Sequence, residues 1–352
     1  MTVCGVLGAG SWGTTLADLL ARRGHGVTIW AYEAEVVEQI NRDRSNGLFL
    51  PGCTLHESLR AVTDPREAVR GAELVLSASP SHAVRGVLRQ VAGALDDGAL
   101  LVSATKGIET DTLCRMSEVA AEVLPTARFV VLSGPSFAAE VYAGQPTAVV
   151  AAARDEPATG EVQQAFSSPR FRVYSNRDVV GAELAGALKN VIAIAAGILE
   201  GLGMGHNPRA ALLTRGLAEI TRLGVALGAD PLTFAGLAGI GDLVLTAYGG
   251  LSRNRTLGEA LGRGERLEEY LAGQRTVAEG VNTTRAAMRL AERAGVEMPI
   301  TAKVAEVLFE GKDPRRGIGE LMDRALKAEQ WGGRGAGRGG ASEGSTGRVG
   351  AA

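Results

Sequence analysis

Seven residues near the N-terminus, Gly8-Ala9-Gly10-Ser11-Trp12-Gly13-Thr14, constrain this chain more than any other segment. They follow an apolar β-type run, Val3 to Leu7, and open a stretch with apolar residues at helical spacing. G-x-G-x-x-G therefore stands where a first strand turns into a first helix, the context that gives the pattern meaning. There Gly8 permits the tight turn, Gly10 lets the backbone approach a diphosphate, and Gly13 allows the helix to pack closely on the strand. Amides at the helix N-terminus then face the phosphates. A glycine-rich turn that binds nothing would show the same spacing, but the flanking strand and helix, and a second strand ending at Trp30, favour NAD or NADP. Glu33, twenty residues beyond Gly13, could accept a hydrogen bond from the adenosine ribose, which favours NAD. It reads equally well as an exposed acid in the first turn of the next helix.

From residue 1 to about 155, short apolar runs alternate with helix-like segments: Val3 to Leu7, Val27 to Trp30, Leu74 to Ala78, Leu100 to Ser103 and Phe129 to Leu132. This alternation predicts an α/β fold, an N-terminal doubly wound and mostly parallel sheet of the Rossmann-like kind. Ala148 to Ala152 and Phe171 to Tyr174 are further strand candidates that extend the sheet at one edge. After about Gly181 the pattern changes to helices broken by glycine turns, with helical spacing in Ala210 to Leu227, Thr283 to Ala294 and Ile300 to Glu310. An all-helical C-terminal domain is expected. The organisation predicted is 1–180 for the dinucleotide domain, 181–330 for a helical substrate and dimerisation domain, and 331–352 for a disordered Gly/Arg-rich tail.

Composition excludes several classes. With a formal net charge of -2 and 22% charged residues, no basic excess points to nucleic acid. The 3 cysteines, Cys4, Cys53 and Cys114, lie far apart and make no zinc set with the 4 histidines, so no metal is expected and a reducing, cytoplasmic compartment fits. The longest apolar stretch, Leu184 to Leu199, would be about 24 Å long as a helix. It contains Lys189 and Asn190 and reads as a core helix, not a membrane span.

Six further clusters follow in order: Pro80-Ser81-His82, Ala104-Thr105-Lys106-Gly107-Ile108-Glu109, Gly134-Pro135-Ser136-Phe137-Ala138-Ala139-Glu140, Ala187-Leu188-Lys189-Asn190-Val191, Gly239-Ile240-Gly241-Asp242-Leu243 and Leu251-Ser252-Arg253-Asn254-Arg255. In this order and setting they resemble the bacterial-type NAD(P)-dependent glycerol-3-phosphate dehydrogenase family, from residue 2 to about 330. The resemblance implies interconversion of sn-glycerol 3-phosphate and dihydroxyacetone phosphate, a phosphorylated triose, in support of phospholipid synthesis, by a homodimer. It makes Lys189 the proton acceptor and places Lys106, Gly134, Ser136, Asp242, Ser252, Arg253 and Asn254 around the substrate. Ser11, Trp12, Lys106, Ala138, Arg253, Val277 and Glu279 would meet the cofactor. The segment after Trp30, Ala31-Tyr32-Glu33, lacks the basic residue often found there in relatives, which argues against a strong NADP preference.

The residue types suit that chemistry. Oxidising a secondary alcohol needs a base for the hydroxyl proton while hydride leaves the same carbon, and the reverse needs an acid; one lysine serves both. Taken from its helix alone, Lys189 is a lysine whose stem packs on the core. Burial and a nearby Lys106 would lower its pKa toward the useful range of about 7 to 8, while Asp242 would oppose the drop. The guanidinium of Arg253 beside the amide of Asn254 suits phosphate oxygens, although a Ser-Arg-Asn-Arg turn is also an ordinary solvated one. Ser136 can offer its hydroxyl and amide, and Thr246 and Tyr248 are candidates to line the pocket.

Overall fold

The computed structural model describes residues 1–273, 278–326, 328 and 329. Val277 and the tail expected over 331–352 lie outside the described residues.

Eight strands form one sheet: β1 Val3–Leu7, β2 Gly26–Trp30, β3 Arg60–Val62, β4 Leu74–Ser77, β5 Leu100–Ser103, β6 Arg128–Ser133, β7 Thr147–Ala152 and β8 Phe171–Asn176. Their order is β3-β2-β1-β4-β5-β6-β7-β8, parallel throughout except between β6 and β7. Every residue of β4 and β5 is buried, as a strand covered by helices on both faces must be. The seven strands expected are all present. β3 was not expected, because three residues show no period and its register with β2 is set by pairing. The covering helices are α1 Ser11–Arg22, α2 Ala34–Asp43, α3 Pro65–Val69, α4 Ser81–Val91, α5 Met116–Val123, α6 Ala138–Tyr142 and α7 Glu156–Phe166.

Helices then take over: α8 Val179–Gly201, α9 His206–Ala226, α10 Pro231–Phe234, a π-helical turn Leu237–Gly241, α11 Asp242–Tyr248, α12 Arg253–Gly262, α13 Leu267–Ala272, α14 Glu279–Ala294, α15 Pro299–Glu310 and α16 Pro314–Met322. The change from strands to helices falls between Asn176 and Val179, slightly ahead of the expected boundary.

At 23 residues, α8 is long and apolar enough to cross a membrane, yet 94% of its apolar window is buried inside the protein. A helix apolar all round needs partners all round, and α9, α11, α12 and α14 supply them. α12 comes closest because glycines meet at the crossing. A Cβ at Gly197 would stand 2.0 Å from the Arg255 carbonyl oxygen, and one at Gly258 2.0 Å from that of Ile194. That crossing brings Asn254, in the first turn of α12, to Asn190 of α8.

Candidate active site

β1 pairs with β2 on one side and β4 on the other, so the strand order reverses there. Ligands of open parallel sheets bind at such a switch point, beyond the carboxyl ends of the strands. The glycine loop occupies it. Gly8 takes φ +114°, a conformation that favours glycine, and its amide donates to the Trp30 carbonyl at 3.1 Å. A Cβ at Gly13 would sit 2.0 Å from the Gly8 carbonyl oxygen, whereas one at Gly10 would meet nothing within 4 Å. Gly13 thus seats α1 on the loop, and Gly10 leaves the mouth above it open. Trp12 is half-buried, and its Nε1 is shielded without a partner among the described residues. An open glycine turn, a helix N-terminus and an orphaned donor fit a dinucleotide diphosphate. Ser11 donates its Oγ to the Phe49 carbonyl at 2.5 Å, Ala138 opens α6, and its carbonyl accepts from Thr15 Oγ1 at 3.3 Å. Glu33 is half-buried at the N-cap of α2 and makes no capping hydrogen bond.

The carboxyl ends of β5 and β6 carry the next groups. Lys106 follows β5, and its Nζ donates to Asp242 Oδ2 at 2.7 Å and to the Gly134 carbonyl at 3.0 Å. Gly134, just after β6, takes φ +132°, and Ser136 Oγ donates to the same Gly134 carbonyl at 3.0 Å. The π-helical turn runs directly into Asp242, and a Cβ at Gly241 would stand 3.6 Å from Pro135. Such turns recur at functional sites, and here one aims a buried carboxylate at two lysines.

Lys189 enters from α8, only 5% exposed, and its Nζ donates to Asp242 Oδ1 at 2.6 Å and to Thr246 Oγ1 at 2.6 Å. Thr246 spends its own proton on the Asp242 carbonyl at 2.7 Å, so its oxygen is left to accept from the lysine. Two of the three outer positions on Nζ are therefore committed. The third is a lone pair when the amine is neutral and an N–H when it is charged. Burial pushes Lys189 down from its ordinary value to about 7; Asp242 opposes that drop and Lys106 adds to it. The competition left open by the residues alone resolves in favour of burial.

The substrate end is less uniform. Ser252 caps α12, its Oγ accepting from the Arg255 amide at 3.2 Å, and Arg253 is exposed at the first helical position. Asn254 is buried: its Nδ2 donates to Asn190 Oδ1 at 3.0 Å, and its Oδ1 accepts from the Gly280 amide at 2.9 Å. It ties α8, α12 and α14 together. Glu279, at the start of α14, accepts from the Ser81 amide at 3.3 Å and from Ser81 Oγ at 2.8 Å. That places it against the N-terminus of α4. Tyr248 is 47% exposed and makes no part of this cluster. Asn190 and Ser81 were visible only as members of motifs; their partners lie 64 and 198 residues away, beyond any local pattern. Among the described residues no group of acids, histidines and cysteines could hold a metal ion.

Comparison with known proteins identifies the family of the chain. The family described as NAD-dependent glycerol-3-phosphate dehydrogenase N-terminus matches residues 3–159, and its C-terminus counterpart matches residues 178–319. A glycerol-3-phosphate dehydrogenase [NAD(P)+] of Geobacter sulfurreducens is 60% identical over 330 residues, 93% of this chain and 98% of that protein. The crystal structure of glycerol-3-phosphate dehydrogenase from Coxiella burnetii superposes with a TM-score of 0.89 at 39% identity, covering 92% of this chain and 99% of that one. The Saccharomyces cerevisiae enzyme does so with a TM-score of 0.77 at 27% identity, covering 92% and 99%. The chain belongs to the NAD-dependent glycerol-3-phosphate dehydrogenase family.

Proposed function

We propose that this chain interconverts sn-glycerol 3-phosphate and dihydroxyacetone phosphate, with Lys189 as the proton acceptor and donor. The observation that carries the reading is the buried Lys189 Nζ, donating to Asp242 and Thr246 among the described residues and held at about 7 beside a buried carboxylate. NAD or NADP, bound at the glycine loop, supplies the hydride chemistry. In oxidation the neutral amine takes the hydroxyl proton through its lone pair. In reduction the ammonium returns it to the oxygen as the alkoxide develops. Asp242 holds both lysines by opposite oxygens, so the charge on the cluster rises by one when Lys189 is protonated. Lys106, with a further N–H beyond its two bonds, supplies a fixed positive charge for the carbonyl oxygen or the phosphate.

Arg253, exposed at the N-terminus of α12, suits the phosphate dianion together with the first amides of that helix. Asn254 lends it one remaining amide hydrogen, the other being spent on Asn190. Glu33, at the N-cap of α2 just beyond β2, favours NAD through the ribose hydroxyl. The reading extends to a cytoplasmic homodimer that supplies glycerol 3-phosphate for phospholipid synthesis, the setting the resemblance implies; sedimentation of the purified protein tests the dimer.

The deciding experiment mixes protein with dihydroxyacetone phosphate and NADH or NADPH, follows absorbance, and repeats with Lys189→Ala and with unphosphorylated dihydroxyacetone. Turnover should require both the phosphate and Lys189, with a loss of about 10²–10⁴-fold in the variant, the usual scale of one proton-transfer group. Dinucleotide binding without turnover in the wild type would refute the assignment and point to a hydroxy-acid substrate.

A further inference from the structure

Beside the glycine loop lies a buried amide with no part in the chemistry above. Asn46, in the loop between α2 and β3, is 0% exposed. Its Nδ2 donates to the Ala9 carbonyl at 2.8 Å and to Thr14 Oγ1 at 2.8 Å, and its Oδ1 accepts from the Phe49 amide at 3.1 Å. Thr14, also 0% exposed, donates its own Oγ1 to the Ala9 carbonyl at 3.0 Å. The Ala9 carbonyl thus accepts from two buried side chains at once, and both amide hydrogens of Asn46 are spent on the glycine loop.

Peptide planarity gives this a consequence at the other face. In a trans peptide the C=O and the following N–H point in opposite directions, and the Ala9–Gly10 bond is not cis. A carbonyl of Ala9 drawn into the domain turns the Gly10 N–H outward. That N–H has no hydrogen-bond partner among the described residues, and the space above Gly10 is open. Gly10 is also the N-cap of α1, so its N–H lies beside the unpaired first amides of the helix.

We propose that Asn46, with Thr14, is a positioning residue for the diphosphate of the dinucleotide: it locks the Ala9–Gly10 peptide so that the Gly10 N–H is presented before the ligand arrives. The inference rests on the dinucleotide reading of the glycine loop. Without Asn46 the peptide keeps only the Thr14 bond and is held less firmly, and binding must then order it, which weakens affinity. The Ser11 hydroxyl, donated to the Phe49 carbonyl, holds the same loop from its other side.

The test is Asn46→Ala, with Thr14→Val and Thr14→Ser beside it and Asn41→Ala as control. Asn41 bonds Ala61 in both directions elsewhere in the same domain, so its loss reports structural damage alone. NADH and ADP-ribose affinities are read by tryptophan fluorescence, and KM for each substrate by turnover. Asn46→Ala should weaken NADH and ADP-ribose alike by about tenfold, the scale of one well-oriented hydrogen bond to a charged group. KM for dihydroxyacetone phosphate at saturating NADH should move less than about twofold. Thr14→Val should act in the same direction and Thr14→Ser should recover; these two carry the test if Asn46→Ala fails to fold. Wild-type-like NADH affinity in Asn46→Ala or Thr14→Val, or an equal loss in Asn41→Ala, would overturn the proposal. A wild type that turns over NADH while the variants match it sinks the positioning role alone. A wild type that binds no NADH sinks the dinucleotide reading beneath it.

Discussion

Replacing Asp242 by asparagine removes one negative charge and almost no volume, and it acts on the group that sets the site's ionisation. In the wild type, burial and Lys106 depress Lys189 and Asp242 holds it up, with the balance at about 7. The Lys189–Asp242 bond is short, 2.6 Å, with both partners buried. A hydrogen bond to a charged group is worth ~1.5–3 kcal/mol, and 1.36 kcal/mol corresponds to about one pH unit. Asp242→Asn should therefore carry the lysine down to roughly pH 5–6. Oxidation needs the neutral amine, so kcat/KM for glycerol 3-phosphate rises with pH through the lysine's pKa; reduction needs the ammonium, so kcat/KM for the ketone falls there. At about pH 7.5, roughly one lysine in four is protonated in the wild type, against about one in a hundred in the variant. Ketone reduction should drop ~20-fold at the middle of that range, and more if the amine also loses its aim. The assay is the pH dependence of kcat/KM in both directions, with circular dichroism to establish folding. An oxidative limb that stays at about 7 or moves upward in the variant would refute the account of Lys189.

Gly13→Ala would place a Cβ 2.0 Å from a backbone carbonyl; a loss of about 2–3 kcal/mol in denaturant unfolding is expected, together with loss of NADH binding, and a wild-type midpoint would contradict the close seating of α1. Glu219 is buried, accepts from the Ile300 and Thr301 amides at 2.9 and 2.8 Å, and is raised above the ordinary carboxyl value, first by burial. A raised carboxyl contributes stability that is present below the unfolded value and lost as pH rises through the folded one. The Tm of Glu219→Gln relative to wild type should therefore improve from about pH 5 to about pH 8; a difference that is flat with pH would count against the raised carboxyl. Arg253→Ala should raise KM for dihydroxyacetone phosphate about tenfold or more, and an unchanged KM would remove Arg253 from the phosphate site.

What could be read from the chain alone was whatever is local. The glycine loop was legible because a strand-to-helix turn with an open mouth and a tightly seated helix requires glycine at Gly8, Gly10 and Gly13 within six residues. The sheet was legible because strands buried on both faces must be apolar throughout, and α8 because a helix apolar all round belongs inside. β3 was not, since three residues carry no period and its place is decided by pairing with β2. Lys106, Lys189 and Asp242 could be singled out by their motifs, but their union is a matter of distance between β5, α8 and the π-helical turn. The ionisation of Lys189 is likewise a tertiary quantity, because burial, an opposite charge and a like charge act on it with different signs and no residue pattern weighs them. Asn254 shows the same limit: nothing local in its motif reveals that its Nδ2 donates to Asn190 and its Oδ1 accepts from the Gly280 amide. Asn46 went unnoticed for the same reason, being 37 residues from Ala9 in sequence and 2.8 Å from it in space. Residue type and period determine which elements form and which chemistry is available; only packing brings the donors, acceptors and charges within the few ångströms over which they act.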